Sequence, residues 1–176
     1  MLKYRSLPVL LLAALAGCSR GPDFYAPPEQ RRPLAVSQPS FVGSFVTMVD
    51  PNADAYIVRD VSPAVESTWR WTYKRPELQF YLARTENLRF AMDFSIAGAT
   101  FKDTGPVTLS VFVNGRFLHK QRYDQPGEKK MDVPVPPGML TPEALNKVAI
   151  EPDKVWVSKE DGANLGFILS AAGFRQ

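Results

Sequence analysis

Leu88-Arg89-Phe90-Ala91-Met92-Asp93-Phe94-Ser95-Ile96 is the stretch whose reading decides the fold. Leu88, Phe90, Met92, Phe94 and Ile96 fall on one side of an extended chain, and Arg89, Ala91, Asp93 and Ser95 on the other. Successive strand side chains point to opposite faces, whereas a helix repeats every ~3.6 residues. A period of two held this long therefore belongs to a half-buried strand. It predicts a central strand with one face in a core.

The same alternation returns on the C-terminal side. Gly98 to Gly105 reads as a loop, and Val107, Leu109, Val111 and Val113 then repeat the pattern. Asn114-Gly115 follows directly. These residues tolerate the positive φ angles that a two-residue type I′ hairpin turn requires. That turn predicts Val111 opposite Leu118 and Phe112 opposite Phe117, with the chain returning through His119 to Tyr123. Met131 to Val135 reads as an edge strand, because Pro134 cannot donate to a central ladder. Thr141-Pro142-Glu143-Ala144-Leu145 offers a capping threonine and a first-turn proline, so one helical turn is expected there. Lys147 to Ile150 and Leu165 to Leu169 close the pattern as strands.

On the N-terminal side, Leu78, Phe80 and Leu82 alternate with Gln79, Tyr81 and Ala83 before a turn at Arg84 to Asn87. Thr68-Trp69-Arg70-Trp71-Thr72-Tyr73-Lys74 alternates bulky aromatic with polar residues, and Pro76 is expected to break it. Phe41 to Val49 and Tyr56 to Val58 read as short strands separated by Asp50-Pro51-Asn52-Ala53-Asp54. Many short strands between Pro/Gly turns, with no long helical period, predict an all-β fold. Its architecture is expected to be an antiparallel β-sandwich over residues 41–176, jelly-roll or immunoglobulin-like.

The first 40 residues have a different character. Lys3 and Arg5 precede an apolar run from Leu7 to Ala16, the plan of a secretory signal. That run falls short of the roughly 20 apolar residues needed to span a bilayer. The run ends in Leu15-Ala16-Gly17-Cys18, which resembles the lipobox of bacterial lipoproteins. The resemblance implies a signal peptide over residues 1–17, cleaved before Cys18, whose thiol carries lipid. Two or more acyl chains make such an anchor long-lived, whereas one is marginal. Ser19 is not the aspartate linked in Gram-negative lipoproteins to inner-membrane retention, so the resemblance implies the outer membrane in such a cell. Residues 18–40 carry Pro22, Pro27, Pro28, Pro33 and Pro39 with few apolar residues. Such a segment buries too little to fold alone and is expected to be an extended tether.

Charge narrows the partners. The full chain has a formal net charge of +3, but Lys3 and Arg5 would leave with the signal, and the remainder is nearly neutral. Basic residues run no longer than the pairs Arg31-Arg32 and Lys129-Lys130. A nucleic-acid binder needs a basic stripe, so nucleic acid is excluded. Cys18 is the only cysteine, and the domain is expected to fold without a disulfide. A chain of this length can bury about 70% of its unfolded surface and needs no staple.

A second resemblance covers the region from Glu66 to the end. Arg70-Trp71-Thr72, Val113-Asn114-Gly115, Val133-Pro134 and Leu165-Gly166 occur in the order seen in a β-sandwich accessory module of bacterial envelope proteins and some glycosyltransferases. It is similar to that module in the order of its features, which implies a sandwich in a setting of glycan biology. Ala163-Asn164 stand where such modules often carry an arginine.

Candidate chemistry is sparse. His119 is the sole histidine, beside Lys120 and on a hairpin arm, with no nucleophile motif around it. The acids are scattered over turns, and no spacing singles out the facing pair of a glycosidase. Asp50, Asn52 and Asp54 have the spacing that opens a calcium loop, but Ala55 stands where glycine is needed and Val61 where the bidentate glutamate belongs. No catalytic residue, metal ligand or cofactor is expected. Trp69, Trp71 and Tyr73 share one face of a strand. In the plainer reading they fill the core while Arg70, Thr72 and Lys74 face water. In the sharper one they form a platform on which sugar rings stack.

The sequence thus leads to a non-enzymatic, lipid-anchored protein of the bacterial cell envelope, held to the membrane through Cys18 and binding envelope polysaccharide. The first alternative is an assembly subunit that docks on another envelope protein through an open sheet edge near Pro134, and a hydrolase is the outlying one.

Overall fold

A computed structural model of the chain describes residues 42–159 and 161–176. The signal segment, Cys18 and the tether lie outside the described residues.

The elements run in chain order: β1 (Phe45–Thr47), α1 (Ala53–Tyr56), β2 (Ile57–Val61), β3 (Arg70–Leu82) and β4 (Arg89–Ile96). Then follow α2 (Gly98–Thr104), β5 (Val107–Val113), β6 (Arg116–Tyr123), β7 (Gly127–Pro134) and β8 (Ala144–Pro152). The chain closes with β9 (Trp156–Val157), β10 (Asn164–Leu165) and β11 (Ile168–Arg175). Every strand pairing is antiparallel. Along the main sheet the order is β6-β5-β8-β3-β11-β4-β7, with β1 beside β11 and β2 beside β3.

This ribbon folds over into two layers at β3. Arg70 and Trp71 pair with Leu169 and Ile168 of β11, whereas Glu77 to Leu82 pair with β8. Rings far apart in strand order therefore meet across the core. Phe94 of β4 lies 5.2 Å from Tyr123 of β6, edge to face. The result is the antiparallel all-β sandwich that the alternation predicts, with its core between the layers.

The central strand is as expected: β4 lies between β11 and β7, and Phe90, Met92, Phe94 and Ile96 are buried. The hairpin turn has Asn114 and Gly115 at φ +49° and +78°, and Phe112 faces Phe117 with ring centroids 5.9 Å apart. Val111, however, pairs with His119 rather than Leu118, because a register shift between Val111 and Phe112 leaves Leu118 as the extra residue. Such a bulge is invisible to a simple period of two. β7 ends its layer, as a strand carrying Pro134 should.

Four expectations are corrected. Pro76 does not break β3, which continues through it for 13 residues. The proline sits where the β2 ladder shifts register, between Val61↔Thr72 and Arg59↔Glu77, so its missing N–H costs no ladder bond there. The neighbouring Arg75 N–H is taken by the Asp60 carboxylate at 2.9 Å, with Asp60 itself at φ +58°. Residues Gly98–Thr104 form α2 rather than a loop, its threonine hydroxyls donating to the Ala97 and Thr100 carbonyls. Ala53–Tyr56 form the single turn α1 between the first two strands. At Thr141 no helical turn forms. The Asn146 side chain accepts the Thr141 N–H and donates to the Thr141 carbonyl, both at 2.8 Å, so it takes the backbone that a helix would use.

Candidate functional site

The aromatic row on β3 is turned the opposite way to the core expectation. Arg70 and Thr72 point inward and are buried, at 4% and 0% exposure, while Trp71 and Tyr73 point outward and are half-buried. The inversion is tolerable because both inward polar groups are hydrogen-bonded. The Arg70 guanidinium holds the Asp54 carboxylate at 2.5 Å and reaches the Met48 carbonyl at 3.3 Å. The Thr72 hydroxyl donates to the Phe167 carbonyl at 2.7 Å and accepts the Phe167 N–H at 2.9 Å.

These bonds place the β9–β10 hairpin beside the outward face of β3. Gly166 N–H donates to the Thr72 carbonyl at 2.8 Å. A side chain at Gly166 would put its Cβ 2.6 Å from the Tyr73 carbonyl, so only glycine allows this close approach. On the other side of the hairpin, the Trp156 indole N–H donates to Asp103 of α2 at 2.7 Å, and the Lys154 ammonium donates to the Thr104 and Pro106 carbonyls.

Between β3 and the hairpin lies an open groove of about 580 Å³. Trp71 and Tyr73 line one side, and Trp156 and Leu165 the other. Glu66, Ser158, Lys159 and Asp161 supply its polar and charged groups. The Asp161 carboxyl is held below the usual carboxylate range by hydrogen bonds from the Ser158 hydroxyl and the Ala163 N–H, against a smaller opposing effect of burial. It is therefore an anionic hydrogen-bond acceptor at neutral pH, not a proton donor.

Trp69 stands apart from this groove. Its ring meets Trp71 edge to face, with centroids 5.8 Å apart. Trp69 lines an adjoining depression of about 610 Å³ on the outer face of β4, β7 and β11. The Trp69–Trp71 pair thus stands between two hollows. The structure brings Trp71 and Tyr73 together, offsets Trp69 into the second hollow, and adds Trp156, which the sequence reading did not single out. A signal was available: Trp156 is one of only three tryptophans, set between Val155 and Val157 with charged residues at Asp153, Lys154 and Lys159.

The other residues weighed from sequence lie elsewhere. His119 sits on β6 opposite Val111 and does not line the groove. The Asp50 carboxylate accepts the Asn52 N–H at 2.7 Å in a local turn, and Asp54 is committed to Arg70.

No protein-family model matches the chain, and no curated protein matches it. Solved structures do. An acetyl xylan esterase, Est2A, from the rumen bacterium Butyrivibrio proteoclasticus is 11% identical, with a TM-score of 0.44 over 77% of this chain and 34% of that one. The chain therefore spans about a third of the esterase. A family 35 carbohydrate-binding module from an environmental isolate is 11% identical, with a TM-score of 0.41 over 68% of this chain and 81% of that one. A module of the same family from Paenibacillus barcinonensis is 14% identical, with a TM-score of 0.40 over 76% of this chain and 99% of that one.

Proposed function

We propose that this chain is a non-catalytic binding protein of the bacterial cell envelope that holds a glycan in the groove between β3 and the β9–β10 hairpin. The observation that carries the reading is the convergence of Trp71, Tyr73 and Trp156 on one open groove beside an ionised Asp161. Sugar rings present C–H edges of slight positive charge, which the negative faces of aromatic rings attract. Their hydroxyls donate to carboxylates such as that of Asp161. Flat rings for orientation with a few placed polar groups make the usual chemistry of a ligand site.

The anchor is part of the same proposal. Lipid on Cys18 and a proline-rich tether hold the domain at the membrane, the outer membrane if the cell is Gram-negative. The lipobox Leu15-Ala16-Gly17-Cys18 supports this. Palmitate labelling of the wild type, lost together with membrane retention in Cys18→Ser, tests the anchor.

Pull-down on peptidoglycan and envelope polysaccharide tests the groove. Trp71→Ala and Trp156→Ala are expected to lose retention with an unchanged melting curve. Retention that survives both substitutions sinks the glycan reading. The assembly alternative draws on the open outer edge of β7, which among the described residues pairs only with β4. Envelope crosslinking that returns one recurrent protein through β7, with no polysaccharide retention, would favour it instead.

A further inference from the structure

Resting on the glycan reading, we infer that the site takes an internal stretch of an unbranched, uncharged glycan chain, running from the Trp71 groove past Trp69 into the second hollow. Two observations carry this. First, the two hollows adjoin at the Trp69–Trp71 ring pair, Trp71 lining one and Trp69 the other. A pocket for a chain end needs a closing wall at one side of the rings. Here the rings have a hollow on either side, so a bound chain can enter by one and leave by the other.

Second, the charges along this path do not favour a polyanion. In the Trp71 groove Glu66 and Asp161 outnumber Lys159. In the second hollow Asp93 and Glu128 balance Lys129 and Lys130, and Lys130 lies 3.9 Å from the Asp93 carboxylate. A uronate or phosphate polymer needs an excess of cations along its track. A neutral chain needs rings and hydrogen-bonding groups, and Thr68, Ser95 and Ser170 extend those groups beyond Trp69.

The arrangement makes length a determinant of affinity. Contacts in the second hollow become intramolecular once the first is filled, so they add affinity only to chains long enough to reach both. The two hollows then act as linked subsites.

Titration calorimetry on the full chain in detergent tests this, with cello-oligosaccharides and N-acetylglucosamine oligomers from disaccharide to hexasaccharide. For at least one series, wild-type affinity is expected to rise roughly tenfold or more with length. Trp69→Ala is expected to remove that gain, weakening the hexasaccharide far more than the disaccharide. Ser95→Leu, which fills the second hollow from β4, is expected to do the same. Its folding is checked by circular dichroism. Equal affinity at every length, equal weakening of short and long chains by Trp69→Ala, or tighter binding of polygalacturonate than of either neutral series would overturn the inference and leave glycan binding standing. Absence of binding to any of these sugars, together with no polysaccharide retention, removes the glycan reading itself.

Discussion

The Thr72 hydroxyl and the Phe167 backbone exchange two hydrogen bonds, donating to the carbonyl at 2.7 Å and accepting the N–H at 2.9 Å, and both residues are buried. Thr72→Val keeps the shape and removes the acceptor, leaving the Phe167 N–H without a partner in the core. An unsatisfied buried donor costs about 1–3 kcal/mol. Chemical denaturation is expected to show a loss in that range, with the slope of the transition unchanged. Because the bond also seats the hairpin that carries Trp156, polysaccharide retention is expected to fall as well. A variant as stable as wild type would show that the hairpin is held by other contacts.

Two of the arginine–aspartate pairs, Arg70–Asp54 and Arg122–Asp124, are similar in length, 2.5 and 2.7 Å, and differ in the burial of the arginine. The Arg70 side chain is 5% exposed although its partner Asp54 is 77% exposed, whereas both members of the second pair are more than half exposed. Asp54→Asn leaves a buried guanidinium with a weaker, solvent-screened partner and is expected to cost about 1 kcal/mol. Asp124→Asn is expected to change stability by less than about 0.5 kcal/mol. Equal effects in matched denaturation curves would contradict the burial argument.

Tyr123 carries a buried hydroxyl with no hydrogen-bond partner among the described residues, and burial pushes its pKa up to about 12. Tyr123→Phe removes the orphaned group and keeps the ring against Phe94. A gain of about 1 kcal/mol at neutral pH is expected. The pH dependence has a definite sign. The folded protein holds this proton above the ordinary tyrosine pKa of about 10, so stability is constant below that value and falls as pH rises towards 12. That part of the alkaline decline is expected to vanish in Tyr123→Phe and can be read from denaturation midpoints across the alkaline range.

Asp161 is expected to set the acid limit of glycan binding. Its carboxyl is held below the usual range by the Ser158 hydroxyl and the Ala163 N–H. The acceptor thus persists as pH falls through the ordinary aspartate pKa of about 3.9. Ser158→Ala is expected to shift the acid edge of retention to higher pH, and Asp161→Asn to weaken retention at all pH values. An acid edge that Ser158→Ala leaves in place would assign it to another group.

The layered fold was legible where one force acted alone. Leu88 to Ile96 and Val107 to Val113 alternate because one face meets the core and the other meets water, and both strands stand as read. Asn114-Gly115 specified its turn through backbone sterics. Reading failed where a distant partner decided. Arg70 and Thr72 look solvent-facing until Asp54, Met48 and Phe167 arrive from elsewhere in the chain to satisfy them. Pro76 looks like a stop until Asp60 takes up the N–H beside it. Trp156 gained its place from α2, a helix with no amphipathic period to announce it. The groove depends on the distant pairings of Thr72 with Phe167 and of Trp156 with Asp103, so only its β3 side could be seen in advance.

Because β3 belongs to both layers, each layer lacks a strand without the other. Heat cannot melt one and spare its twin, so no half-molten species should accumulate during a calorimetric scan, and the van't Hoff and calorimetric enthalpies are expected to agree for residues 42–176. A domain built this way is either whole or fully open to proteases, with no weakened intermediate between the two.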